Sequence, residues 1–117
     1  MKRPEGTPSL AQFLAGPYRN LWIEDERMKV YVRRGNHLIG TKSTLCLDIA
    51  NVLVAKEHQS TGVFTSWLLY AEFMAKEWGL RAVFVESILT PRLRTFLSCC
   101  GYVRQVVDDH NMYKMVF

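Results

Sequence analysis

No stretch of this chain is apolar for long enough to cross a bilayer, and its N-terminus has no apolar run of the signal-peptide kind. Cysteine is scarce, with Cys46, Cys99 and Cys100 the three present. Three thiols cannot build the disulfide framework of a small secreted domain, and a bridge between adjacent Cys99 and Cys100 would close a strained loop. All three are expected as reduced thiols filling small apolar sites, in a cytoplasmic protein without a membrane partner. The three histidines, His37, His58 and His110, fall in or beside predicted turns and lack the spacing of metal ligands. No Ser/His/Asp or Cys/His arrangement is readable. Cys99-Cys100 lies inside a predicted helix rather than at its N-terminus, where a thiolate is favoured. Basic charge is present but not in blocks. The net charge is +4, with short clusters at Arg33-Arg34 and Arg92–Arg94. That balance suits a polyanionic ligand, but nothing reads as a nucleic-acid arm, and nucleic acid is not the expected partner. Internal repeats and low-complexity segments are also lacking.

What is present is one domain's worth of chain: 117 residues, 49% hydrophobic and 22% charged. Met1–Pro8, polar with two prolines and a glycine, reads as a flexible tail before a single domain over 9–117. Ser9 can cap a short helix through Leu14, stopped by Gly16-Pro17. Leu21–Ile23 suggests a short strand. In Arg27–Arg34 the alternation of Met28, Val30 and Val32 with Lys29, Tyr31 and Arg33 predicts a half-buried strand. Gly35-Asn36 is a turn signal, with His37–Gly40 as a returning hairpin arm and Thr41–Thr44 as the next turn. Leu45–Ala55 is apolar nearly throughout, broken by Asp48 and Asn51, as in a central strand covered on both faces.

Thr65–Trp78, with Val63 just before it, carries Val63, Trp67, Tyr70, Ala71, Met74 and Trp78 on one stripe, which predicts a helix with its aromatics in the core. Glu72 and Lys76 are spaced as an i,i+4 pair, and Gly79 ends the helix. Arg81–Ile88 is a second apolar strand. Strand, helix and strand with short links make a right-handed crossover, so the two strands should run parallel. Thr90-Pro91 opens another helix, with proline at its first position, closed at Gly101. Val103–Val107 and Met112–Phe117 flank a turn-rich tetrapeptide and read as a terminal hairpin. The fold class is α/β of the α+β type: an antiparallel meander, a parallel crossover, a short helix and a hairpin in one mixed, twisted sheet.

The run Gln59-Ser60-Thr61-Gly62-Val63-Phe64 joins the central strand to the long helix. The first turn of a helix exposes unpaired N–H groups at the positive end of the helix dipole. A polar, glycine-bearing turn there is suited to an anion, most often a phosphate. The plain alternative is an ordinary strand-to-helix turn.

Two motifs carry a resemblance. Gln59-Ser60-Thr61-Gly62-Val63-Phe64 is similar to the Gln/Arg-x-x-Gly-x-Gly/Ala cofactor motif of the GCN5-related N-acetyltransferases. Thr90-Pro91-Arg92-Leu93-Arg94-Thr95-Phe96-Leu97-Ser98-Cys99-Cys100-Gly101-Tyr102 has the spacing of a family helix that reads Asn-Pro-Arg-Ala-x-x-Phe-Tyr-x-x-x-Gly-Phe. The likeness covers Arg27 to Phe117. It implies acetyl-CoA as co-substrate and direct transfer of acetyl to a primary amine in a ternary complex. It further implies that Gln59, Ser60, Thr61, Gly62, Val63 and Phe64 hold the pyrophosphate. Backbone groups of Leu53 and Val54, freed where the parallel strands splay, would bond the pantetheine arm, with Thr90, Arg92 and Phe96 across from them.

For the proton of the amine the candidates are Asp48 and Glu86, carboxylates in otherwise apolar strands where burial raises a pKa. Asp48 matches the position of the catalytic glutamate in the histone-acetylating branch of the family. The alternative for each is a carboxylate at a sheet edge or in a structural salt bridge. Glu57 and His58 are expected to be solvated.

This chain departs from the family pattern at three points. Phe64 stands where the motif ends in a small residue. Leu97 stands where many members have a tyrosine that protonates the leaving thiolate. The segment before the meander is short, so the acceptor side would be open or completed by a second copy, which is compatible with a homodimer. These departures suit the alternative function, a catalytically inactive fold serving as a binding or structural module. Small amines, antibiotics, peptide N-termini and protein lysines all remain as acceptors.

Overall fold

The computed structural model describes residues 9–59, 62–88 and 90–116, so the tail expected at Met1–Pro8 lies outside the described residues. The elements run α1 (Leu10–Ala15), β1 (Asn20–Glu24), β2 (Met28–Ile39), β3 (Lys42–Val54), a 3-10 turn at Lys56–His58, α2 (Val63–Glu77), β4 (Ala82–Val85), α3 (Pro91–Cys99), β5 (Val103–Arg104) and β6 (Met112–Met115). The strands form one mixed sheet in the order β1-β2-β3-β4-β6-β5. β3 and β4 pair in parallel, and the other neighbours are antiparallel. No helix among the described residues is long and apolar enough to cross a membrane.

Local chemistry sets the helix ends. Ser9 Oγ accepts from the Gln12 N–H at 3.1 Å and Gln12 Oε1 accepts from the Ser9 N–H at 2.7 Å, a reciprocal capping box that starts α1. Thr90 Oγ1 accepts from the Leu93 N–H and Pro91 opens α3. α2 and α3 end alike. Leu80 N–H bonds Ala75 O and Gly79 N–H bonds Lys76 O; Tyr102 N–H bonds Leu97 O and Gly101 N–H bonds Ser98 O. Both are Schellman motifs, which need a left-handed residue. Gly79 (φ +76) and Gly101 (φ +93) supply it.

All three helices contribute to one hydrophobic cluster on one face of the sheet. Phe13, Trp67, Leu68, Ala71, Ala75 and Leu97 meet Val30, Val32, Leu47, Ile49, Val83 and Val85 there. The other face has a smaller cluster of Cys46, Ala82 and Phe84 with Ile39 and Tyr113, to which no described helix contributes. β3 is therefore central, but helices cover it on one face rather than both.

The structure corrects several local expectations. β2 runs straight through Gly35-Asn36, which pair with Cys46 and Leu45, and the hairpin turns instead at Gly40-Thr41. Gly40 has φ +62, the conformation a two-residue hairpin loop needs at its first position. Turn chemistry at Gly35 yields to the hydrogen bonds of the longer ladder. β4 is four residues long rather than spanning Arg81–Ile88, and β5 stops at Arg104 rather than Val107. On α2 the buried face is Val63, Trp67, Leu68, Ala71 and Ala75, while Tyr70 and Trp78 are exposed. Two alanines let the helix approach the sheet closely. Tyr70 points off that face, and Trp78 lies at the helix cap, beyond the regular turns. Glu72 pairs with Lys114 at 3.0 Å and accepts from Tyr102 Oη at 2.8 Å, in place of the expected Lys76.

Ala71 has no exposed surface. Ala71→Leu should lift α2 from the sheet and destabilise the fold by about 1–3 kcal/mol, read as a lower urea midpoint. An unchanged midpoint would contradict the close helix–sheet contact.

Candidate active site

The parallel pairing of β3 with β4 lasts from Cys46–Ile49 against Ala82–Val85. The Glu86 N–H still reaches Ile49 O at 3.1 Å. The chain then turns away through Ser87, whose φ of +55 is left-handed. β3 continues to Val54 beside β2, with a register shift that passes over Ala50: Tyr31 faces Asn51 and Val32 faces Ile49. Such a bulge re-aims side chains and bends the strand. The result is a fork, with β3 outrunning β4 and Leu53 exposed on the overhang.

Asp48 and Glu86 come together at the base of this fork. Asp48 is 3% exposed. Its Oδ2 lies 2.9 Å from His37 Nε2 and 3.2 Å from Arg33 Nη2, and Arg33 also pairs with Glu86. The His37 ring stacks flat on Phe84, with centroids 3.8 Å apart and planes 4° apart. Asp48 Oδ1 is buried and has no hydrogen-bond donor. Atoms of His37, Asp48 and Glu86 all lie within 4.8 Å of one another, a grouping that linear spacing hid. The positive charge between the two carboxylates is supplied by the Arg33 guanidinium.

Sequence reasoning named the two acids but missed Arg33 and His37 as their partners. The available signal was alternation: Arg33 lies on the polar side of the alternating strand β2, and Asp48 breaks the apolar run of β3. The link required the register, which sets Arg33 opposite Asp48.

Burial pushes the Asp48 carboxyl up from 3.8 to about 7, helped by hydrogen bonding to Glu86 and opposed by His37. Burial would raise Glu86 too, but hydrogen bonds with Asp48 and Arg33 and the guanidinium charge outweigh it and hold Glu86 below its ordinary value. The pair thus keeps a proton on the buried member and a negative charge on the more exposed one. Burial, and then the Asp48 charge, push the neighbouring Cys46 thiol up to about 12, so it stays protonated and unreactive.

At the other candidate region, Gly62 is the N-cap of α2 at φ +82, with no side-chain cap. Ser66 N–H donates to Gly62 O, which leaves the amides of Val63, Phe64 and Thr65 outside the helical ladder. Gln59 Nε2 folds back to Val54 O at 3.2 Å, tying the start of the loop to the end of β3. Ser60 and Thr61 lie outside the described residues. Phe64 packs against the core and on Phe96, with centroids 6.0 Å apart. Leu97 is fully buried. Thr90 is committed to capping α3, and Arg92 is exposed on its first turn. Glu57 is exposed as expected, while His58 is half-buried.

The sign of the pH dependence follows from Asp48. Its folded value is raised, so the native state holds a proton that the unfolded chain releases. This contribution to stability is complete below about pH 4 and is lost as the pH rises through about 7. Glu86, held low, acts oppositely in a more acidic window: its contribution is present above 4.5 and lost as the pH falls. Urea midpoints of the native chain should therefore decline between about pH 4 and about 7, and Asp48→Asn should flatten that decline. Equal slopes for the two proteins would exclude Asp48 as the source.

No protein-family model matches the chain, and no curated protein matches it. Solved structures do. The toxin AtaT, as a Y144F mutant bound to acetyl-CoA and the C-terminus of the antitoxin AtaR, superposes with a TM-score of 0.61 at 12% identity, covering 80% of this chain and 61% of that one. AtaT is also known in complex with acetyl-methionyl-tRNAfMet. The KacTA–DNA complex matches with a TM-score of 0.63 at 13% identity over 97% of this chain and 83% of the other. An acetyltransferase of the GNAT family from Listeria monocytogenes matches with a TM-score of 0.63 at 10% identity, over 83% and 64%. The chain thus spans about three-fifths of the length of the AtaT chains it matches. The tRNA and DNA in the AtaT and KacTA complexes give no support to the expectation that set nucleic acid aside. This chain has the fold of the GCN5-related N-acetyltransferases.

Proposed function

We propose that the chain is an acetyl-CoA-dependent N-acetyltransferase that moves acetyl directly to a primary amine in a ternary complex. The observation that carries this reading is the Asp48–Glu86 pair at the fork between β3 and β4. The presence of acetyl-CoA in the AtaT complex of the same fold supports the choice of cofactor.

In this reading the pyrophosphate sits on the amides from Ser60 to Phe64, where Gly62 permits close approach. The pantetheine arm runs along the overhang of β3 at Leu53 and Val54, as an added strand would. There the cofactor competes with Gln59 for the Val54 carbonyl. Thr90, Arg92 and Phe96 flank it from α3.

The acceptor amine approaches from the sheet face without helices. As an ammonium it gives one proton to Glu86, which Arg33 keeps ionised beside the protonated Asp48. The nitrogen lone pair then forms the C–N bond as the C–S bond breaks, and the nitrogen's surplus proton passes to the departing CoA thiolate, which leaves as CoA-SH. Leu97, buried in the core, offers no acid to it. The step relies on positioning.

One observation favours a second reading, that of a catalytically inactive binding module: Arg33 engages both carboxylates at once. The two readings part experimentally. Calorimetric titration should show micromolar acetyl-CoA binding that Gly62→Trp abolishes, with circular dichroism confirming that the variant keeps its helices. Glu86→Gln and Asp48→Asn should bind the cofactor normally and lose about 10²–10⁴ in turnover. The acceptor screen should span small amines, peptide and protein amines, and nucleic acids bearing an amine. Binding without turnover on any of them would favour the module, and no binding at millimolar acetyl-CoA would exclude both cofactor and enzyme.

A further inference from the structure

Two side-chain amides connect the far end of β2 to the exit of β4. Gln105, just after β5, is 6% exposed. Its Nε2 donates to Leu38 O at 2.9 Å, and its Oε1 accepts from Asn111 Nδ2 at 3.0 Å. Asn111 Oδ1 accepts from the Ser87 N–H at 2.9 Å, and Asn111 O accepts from the Gln105 N–H at 2.9 Å. Next to this relay, Ile88 N–H donates to His110 O at 2.6 Å.

The ends of the relay matter. Leu38 follows His37, and Ser87 follows Glu86. Those two residues meet Asp48 from opposite sides. Ser87 also has the left-handed φ of +55, a strained conformation for a residue other than glycine. Its bond to Asn111 helps hold it there. A left-handed residue at this point swings the chain off β4 directly after Glu86, so the relay stabilises the conformation that places that carboxylate. Every polar atom of the two amides that takes part has a partner, the condition under which a buried polar network specifies geometry.

We propose that Gln105 and Asn111 are positioning residues that brace His37 and Glu86 on either side of Asp48 and keep water from the buried carboxyl. The ionisable groups around Asp48 are Arg33 and His37 from β2, Cys46 from β3, and Glu86. Gln105 and Asn111 themselves are uncharged, so they act through distance and solvent access rather than through charge. The bracing rests on these hydrogen bonds alone. Its value for catalysis rests on the acetyltransferase reading.

The test is the titration of the Asp48 carboxyl in the full chain, followed by carboxyl 13C NMR and assigned with Asp48→Asn. Gln105→Met keeps the side-chain volume and removes both bonds. The midpoint, about 7 in the native chain, should fall by about one pH unit as water reaches the cluster. Asn111→Ala, at a half-buried position, should move it in the same direction by less, and carries the test if Gln105→Met fails to fold. A folded variant with a lower melting temperature but an unmoved midpoint would reduce the relay to a structural role and overturn the proposal. The readout needs no acetyl transfer, so failure of the enzyme reading leaves it intact.

Discussion

The rest of the site depends on the short parallel pairing of β3 with β4. A central strand must satisfy its N–H and C=O groups on both edges. β3 does so only from Cys46 to Ile49, where β4 accompanies it. Beyond Ile49 the bulge at Ala50 and the left-handed Ser87 part the two strands. Past that point one edge of β3 no longer has β4 beside it, and Gln59 folds back to bond the carbonyl of Val54 at the strand end. The helix-bearing face holds this arrangement in place. Ala71 and Ala75 set α2 close to the sheet, and the two Schellman ends return the chain to β4 and to the terminal hairpin.

The carboxyl pair is a charged insertion in an apolar sheet, and its surroundings show how it is tolerated. Asp48 is almost fully buried, which alone would be costly. Arg33 and His37 from the neighbouring strand offset that cost, and a proton shared with Glu86 reduces the charge that must be buried. Glu86 sits nearer the surface and keeps its charge beside Arg33. Two acids of similar intrinsic strength are thereby driven apart, which is how a fold assigns different proton-transfer roles to like groups. No described helix contributes to the cluster on this face, and the Glu86 side chain keeps 21% of its surface exposed.

Much of this architecture was legible because it depends on short-range chemistry. Ser9, Thr90-Pro91, Gly79 and Gly101 mark helix ends through caps that involve neighbours three to five residues away. Met28, Val30 and Val32 mark a half-buried strand by alternation alone. The failures share a cause. Gly35-Asn36 has the chemistry of a turn, but the ladder between β2 and β3 overrides it. Tyr70 and Trp78 share a period with Trp67, but the width of the helix–sheet contact admits Leu68 and Ala75 instead. Glu72 has a Lys four residues away, yet bonds Tyr102 and Lys114, which lie on other elements.

The sequence by itself determined the order of elements outside the β2–β3 hairpin, the parallel crossover, the two acids in apolar strands and the glycine-bearing turn before α2. Each follows from periodicity or from a motif a few residues long. Only the tertiary structure decided that Arg33, His37, Asp48 and Glu86 form one cluster, that helices cover one face of the sheet, and that Gln105 and Asn111 span the two ends of that cluster. These residues are separated in the chain by 11, 53 and 67 positions at their contacts. Strand register and the direction of a bulge bring them together, and both are set by the cooperative pairing of the whole sheet rather than by any local preference.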